Sequence, residues 1–141
     1  MTETYRLTFP GKPIAKHRPR FARRGKFVVT YSDQETEEGR FLWELKQQWK
    51  QAPLQGPIVL NADFFIRIPA SLSAKKRTAM CWTPHTKKPD LDNLIKFIKD
   101  LFNNIVWVDD SQVFRIEANK YWDTDPRTDI RVDSPLEKGK V

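Results

Sequence analysis

The hydrophobic pattern opens on an alternation. Tyr5, Leu7 and Phe9 are separated by Arg6 and Thr8, a period of two that predicts a strand closed by Pro10-Gly11. Residues 27–31 predict a second, short strand. Ser32 with Glu35 three residues on has the spacing of a helix cap. Phe41, Leu42, Leu45 and Trp49 then share one helical face, and Pro53 ends that helix. Across 58–68 the period returns to two, with Leu60, Ala62, Phe64, Ile66 and Ile68 on one side. Residues 71–80 form a short helix or turn, and 83–89 a loop with two prolines. A helix over 93–102 carries Leu94, Phe97, Ile98, Leu101 and Phe102 as its buried stripe. Strands are expected at 106–108, 113–122 and 128–132, before a charged tail over 134–141 that should fray. No internal repeat, linker or regular βαβ rhythm is present. The pattern therefore predicts an α+β fold: one domain over 1–141, a mixed β-sheet packed against helices.

Composition agrees. With 141 residues, 39% of them hydrophobic, and five Trp and nine Phe, the chain can fill one core. No apolar run approaches the ~20 residues of a membrane span, and the start lacks the apolar stretch of a signal peptide. A single cysteine, Cys81, rules out an internal disulfide framework and suits the cytoplasm, the expected location. With only His17 and His85 beside it, a zinc site has no ligand set.

Charge changes the picture. The formal net charge is +7, and residues 1–31 hold eight bases against one acid. The remainder is neutral, so the whole excess sits in the first fifth of the chain. Residues 12–26 contain no acid and are rich in arginine, which binds phosphate bidentately. Lys12, Lys16, Arg18, Arg20, Arg23 and Arg24, with Lys87 and Lys88 further on, are the candidates for contact with the phosphates of a polyanion. The competing reading is a solvated basic loop.

The acids carry the chemistry. In Pro89-Asp90-Leu91-Asp92-Asn93, residues two apart in extended chain point the same way, so Asp90 and Asp92 can converge. Asp92 also stands where a helix N-cap would be. Asp92, Lys96 and Asp100 follow at spacings of four, which places an ammonium one turn above the carboxylate pair. Ordinary i,i+4 pairing, about 0.2–0.5 kcal/mol per pair, explains that spacing equally well. Asp109 and Asp110 end the apolar run from Ile105. Adjacent acids repel, unless a divalent cation sits among them, and carboxylates without His or Cys partners suit Mg²⁺ or Mn²⁺; the alternative is that Asp92 is only a cap and Asp109-Asp110 only a turn. A basic protein holding such a cluster has the parts for metal-dependent phosphodiester hydrolysis, with Lys96 placed to neutralise transition-state charge.

These residues resemble a known family. Lys88-Pro89-Asp90-Leu91-Asp92-Asn93-Leu94-Ile95-Lys96, then Asp100, then Val108-Asp109-Asp110-Ser111-Gln112-Val113, is similar to the RusA Holliday-junction resolvases. Gly11-Lys12-Pro13-Ile14-Ala15-Lys16 and Arg18-Pro19-Arg20 resemble the opening of its bacteriophage-type members. The resemblance implies a Mg²⁺-dependent homodimer, with Mn²⁺ as a substitute, that nicks four-way DNA junctions symmetrically in recombination and repair. It also implies a phage or prophage origin. By motif position Asp90, Asp92 and Asp110 are the metal-binding catalytic carboxylates and Lys96 the catalytic lysine. Asp100 and Asp109 match acidic positions that would support these or the fold. One departure is visible: Asn103-Asn104-Ile105 stands where the family often has Gly, and Asn tolerates the left-handed conformation such a turn needs.

Two rivals remain. A nuclease motif of the P-D then D/E-x-K type starts at Pro89-Asp90, but no D/E-x-K follows. A non-catalytic nucleic-acid-binding module explains the bases and aromatics, but not acids beside a phosphate path. Trp43, Trp49 and Trp107 are candidates for a dimer interface, although core burial is the expectation for each. Cys81 is expected to be a buried or inert thiol, His17 one more polar residue of the basic run, and His85 a loop histidine without a special role, with a phosphate contact as the alternative.

Overall fold

A computed structural model describes residues 2–16, 20–24, 27–31 and 35–135. Tyr5, Leu7 and Phe9 alternate within β1 (Thr2–Pro10), with Leu7 and Phe9 buried. Two further strands, β2 (Arg20–Arg24) and β3 (Phe27–Tyr31), precede α1 (Glu35–Gln48) and β4 (Ile58–Arg67). Then come α2 (Ala74–Met80), α3 (Leu91–Phe102), a 3-10 turn at Asp110–Gln112, β5 (Val113–Asp123) and β6 (Arg127–Pro135). Strand order in the main sheet is β1-β6-β4-β5; β4 and β5 are parallel and the other pairs antiparallel. A parallel pair needs a crossover, and the chain between β4 and β5 supplies it with α2 and α3. The α+β class with a mixed sheet is therefore what forms.

Helices α1 and α3 cover one face of this sheet. Phe9 stacks on Phe41 with ring centroids 5.0 Å apart, Phe41 meets Phe97 edge-on, and Phe102 meets Trp107. The stripe expected on α3 is buried at Leu94, Phe97, Ile98 and Phe102. Trp49 and Trp107 are core residues, as expected. Trp43 is not: it is 60% exposed, because it stands two positions from both Phe41 and Leu45 and so faces away from their stripe. The opposite face of the sheet is polar. There Asp133 accepts from Thr4, Asn61 and Arg131, while Asp129 accepts from Thr8 and Arg127.

Several boundaries differ from the sequence pattern. The basic segment is not all loop: Arg20–Arg24 pairs antiparallel with Phe27–Tyr31 as a separate hairpin. Its charges mask the alternation, and the partner strand supplies the ladder. Residues 106–108 form no strand. Trp107 makes only isolated bridges to Leu54 and Asn103, because the chain is turning there. Helix α3 begins at Leu91, so its N-cap is Asp90 rather than Asp92. Strand β6 runs on to Pro135 and pairs with Thr2, so the tail is ordered two residues further than expected. Ser32, His17, Arg18 and residues 136–141 lie outside the described residues. Asn104 has φ +69°, the left-handed conformation that the Asn103-Asn104 turn was expected to need.

Candidate active site

The N-terminus of α3 sets two carboxylates at the surface. Asp90 has extended N-cap angles, yet its side chain makes no capping hydrogen bond to the helix. It pairs instead with Lys88, whose ammonium lies 3.1 Å away with 86% of its side chain exposed. Such an exposed pair is worth little and is readily exchanged for another ligand. Asp92 follows in the first turn, where the helix dipole favours negative charge. Among the described residues the side chains of Asp92, Lys96 and Asp110 have no hydrogen-bond or ion-pair partner. Lys96 stands exposed one turn above Asp92, as its spacing implies.

A cleft of about 480 Å³ opens beside this helix end, and Lys12, Lys16, Lys88, Asp90 and Asn93 are among its lining residues. The basic segment reaches it through a fixed turn. Gly11 has φ +93°, a left-handed conformation that other residues adopt only with strain, so glycine is favoured there. Arg40 in turn donates to the carbonyl oxygens of Pro10 and Lys12. Further along, Lys16 N–H donates to the Asn93 carbonyl at 2.9 Å, and its ammonium lies 3.4 Å from Asp100. Asp100 thus anchors the basic segment against α3. Arg20, Arg23 and Arg24 lie on the backbone of β2, and Lys87 and Lys88 are exposed in the loop before Asp90.

That loop is held by Lys120, a residue the sequence did not single out. Its Nζ donates to the carbonyl oxygens of Lys87 and Pro89, at 2.7 Å each. Burial pulls the Lys120 pKa down, the Asp90 charge opposes this, and Lys88 adds to it. Nothing in the local pattern separates Lys120 from any other strand lysine; only the fold brings it to Pro89. Arg40 escaped notice for the same reason.

Asp109 and Asp110 are elsewhere. Asp109 caps the 3-10 turn: its carboxylate accepts from Ser111 N–H while Gln112 reaches back to Asp109 N–H. The Ser111 hydrogen bonds hold the Asp109 carboxyl below its ordinary value. Gln112 Nε2 also donates to the carbonyls of Leu54 and Gly56, which fixes this turn beside Trp107. Asn103 and Trp107 mark the C-terminal end of α3, whereas Lys120 and Pro89 mark its N-terminal end. About 18 Å of helix lies between them. Within one chain Asp110 therefore does not join Asp90 and Asp92. Among the described residues no group of three or more Asp, Glu, His or Cys could hold a metal ion. Nor is any helix among them long and apolar enough to cross a membrane.

Residues 10–133 match the family model for endodeoxyribonuclease RusA, and the chain belongs to the RusA endodeoxyribonuclease family. Among its relatives, the crossover junction endodeoxyribonuclease rusA of Lactococcus phage r1t is 36% identical over 77 residues, 54% of this chain and 53% of the phage protein. An uncharacterized protein of Bacillus subtilis (strain 168), YqaN, is 26% identical over 133 residues, 90% of this chain and 94% of that protein.

Proposed function

We propose that this chain is a Mg²⁺-dependent endodeoxyribonuclease that resolves four-way DNA junctions by paired, symmetric nicks and acts as a homodimer. The observation that carries the reading is the α3 N-terminus, where Asp90 lines a cleft together with Lys12, Lys16, Lys88 and Glu37, and Asp92 stands exposed in the first turn of the helix. Lys12, Lys16 and Lys88 attract a phosphate backbone that the two carboxylates would repel, and a divalent cation removes that conflict. One chain alone would supply only two of the three motif carboxylates to that cation. Lys96, one turn above Asp92, offers a charge for the scissile phosphate. The phage relative supports a phage or prophage origin.

The free edge of β5 supports the homodimer. At its far end, Trp122 and Lys120 already bond to Trp82, Thr83 and His85, and Pro84 bridges Tyr121. Residues 113–119 remain uncovered among the described residues. By alternation Ile116 also turns its backbone groups outward. A two-fold antiparallel pairing centred on Ile116 would set Arg115 against Glu117 of the second copy, twice over. Phe114 and Ile116, 63% and 42% exposed, would gain cover. The start of β5, with Asp110 just before it, would then run toward the second copy's Lys120 and Asp90.

Purified protein should be incubated with a synthetic four-way junction, a flap and a linear duplex, each with Mg²⁺, Mn²⁺ or EDTA. Paired nicks in the junction, absent with EDTA, are expected. Binding without cutting under every condition would favour the non-catalytic module instead.

A further inference from the structure

We infer that Trp82, backed by Tyr121 and Phe65, is a stacking platform for an unpaired nucleobase of the DNA substrate; this rests on the nuclease reading above. Trp82 has φ +66°, a left-handed conformation that bulky residues seldom adopt and that surrounding structure must impose. Here it is imposed. Trp82 N–H donates to the Trp122 carbonyl at 2.7 Å, Trp122 N–H to Thr83, and Thr83 N–H to Met80, both at 3.0 Å.

The ring is fixed as firmly as the backbone. It stacks on Tyr121 at 6.0 Å and 27°, and lies tilted 4.9 Å from Phe65. The Arg127 guanidinium sits 3.9 Å over Phe65 and 5.9 Å from the Trp82 ring. Phe65 is 1% exposed, so its cover is complete, yet Trp82 keeps 60% of its own surface open. A leucine would seal Phe65 while leaving less apolar surface in water. The excess is a rigid aromatic face, presented at low entropic cost, on the otherwise polar side of the sheet.

Charge and position select the occupant. From Ser71 to Pro89 the chain has five bases and no acid. Asp123, Asp125 and Asp129, the acids around Arg127, are all paired with it. From Trp82 the loop runs along β5 through His85 to Lys87 and Pro89, where Lys120 holds it beside Asp90. A strand following this loop would place a base on Trp82, phosphates on Lys87 and Lys88, and the next linkages at Asp90. Duplex bases are already stacked on both faces; at an open branch point a base lacks a stacking neighbour on one face, so unpairing it to stack here costs less.

The test measures binding of the full chain to a synthetic four-way junction and to a linear duplex across a salt series. Trp82→Leu, which keeps cover on Phe65, should weaken junction binding about tenfold, leave duplex binding unchanged and preserve the salt slope. Trp82→Phe should stay within about twofold of wild type. In the wild-type protein, 5-iodouracil at the branch should photocrosslink to the peptide carrying Trp82, a readout independent of variant folding. Wild-type junction affinity in Trp82→Leu, equal losses on both DNAs, or crosslinks confined to other peptides would overturn the platform alone. A wild-type chain that binds neither DNA would overturn the nuclease reading, and the platform with it.

Discussion

Lys120 Nζ donates to the carbonyl oxygen of Pro89 at 2.7 Å, so the residue before Asp90 is tied to β5. Replacing Lys120 by Met keeps the apolar stem but removes the donor to two carbonyls. The loop before Asp90 should loosen, with about 1 kcal/mol lost in stability. Nicking should fall about tenfold or more at temperatures where the variant is fully folded, because Asp90 loses its fixed approach. Parallel melting curves and single-turnover nicking rates check this.

Asp92→Asn should abolish nicking while junction binding stays intact or tightens, since one repulsive charge leaves the phosphate path. Asp100→Asn is the control. It breaks the exposed pair with Lys16, worth about 0–1 kcal/mol, and nicking should persist. A rate for Asp92→Asn equal to wild type would remove this residue from the chemistry.

The pairing of β5 edges predicts a charge rescue. Arg115→Glu should place two acids opposite each other at both ends of the two-fold and shift the protein toward monomer. Adding Glu117→Arg restores opposite charges and should restore the dimer. Sedimentation velocity of wild type, single and double variants reads the outcome directly.

His85 gives a pH signature. Its ring is buried against Trp122, and burial, joined by the charges of Lys120 and Lys87, holds its pKa below the ordinary 6.5. Below that value the unfolded chain binds a proton that the folded chain resists, so acid favours unfolding. Stability from this group is therefore complete above pH 6.5 and declines as pH falls toward the lower folded value. Thermal melts between about pH 7.5 and 5.5 should show the decline, and His85→Leu should flatten it.

Replacing Arg18, Arg20, Arg23 and Arg24 by Ala should weaken DNA binding and flatten the plot of log affinity against log salt. Each lost phosphate contact lowers the slope by about 0.9 for duplex and about 0.7 for single strands. An unchanged slope would take these side chains off the phosphates.

Much of the fold was readable because its signals are local. The alternations at Leu7–Phe9 and Leu60–Phe64 and the stripe Leu94–Phe102 each report one face buried against a common core. The hairpin strand Arg20–Arg24 was not readable, since arginine occupies the positions that would show alternation. At the site, the motif marked Asp90 and Asp92, and the helix end presents both. The same motif also marked Asp110. Yet the Gln112 bonds to Leu54 and Gly56 hold it at the other end of α3. Lys120, Arg40 and Trp82 owe their places to contacts across 31, 28, and 17 to 40 residues, which no local pattern encodes.

Gln48 has a consequence for the far side of the sheet. Its side-chain oxygen accepts from Thr8 N–H and its nitrogen donates to the Thr8 carbonyl, at 2.9 and 2.7 Å. One amide side chain thus occupies the outward groups of β1 where a neighbouring strand would begin. A sheet open at both ends can polymerise; here β1 is blocked at Thr8 and β5 is partly capped. The proposed two-fold pairing through the remaining stretch of β5 would end at two copies, so a closed pair of this kind would also resist fibres.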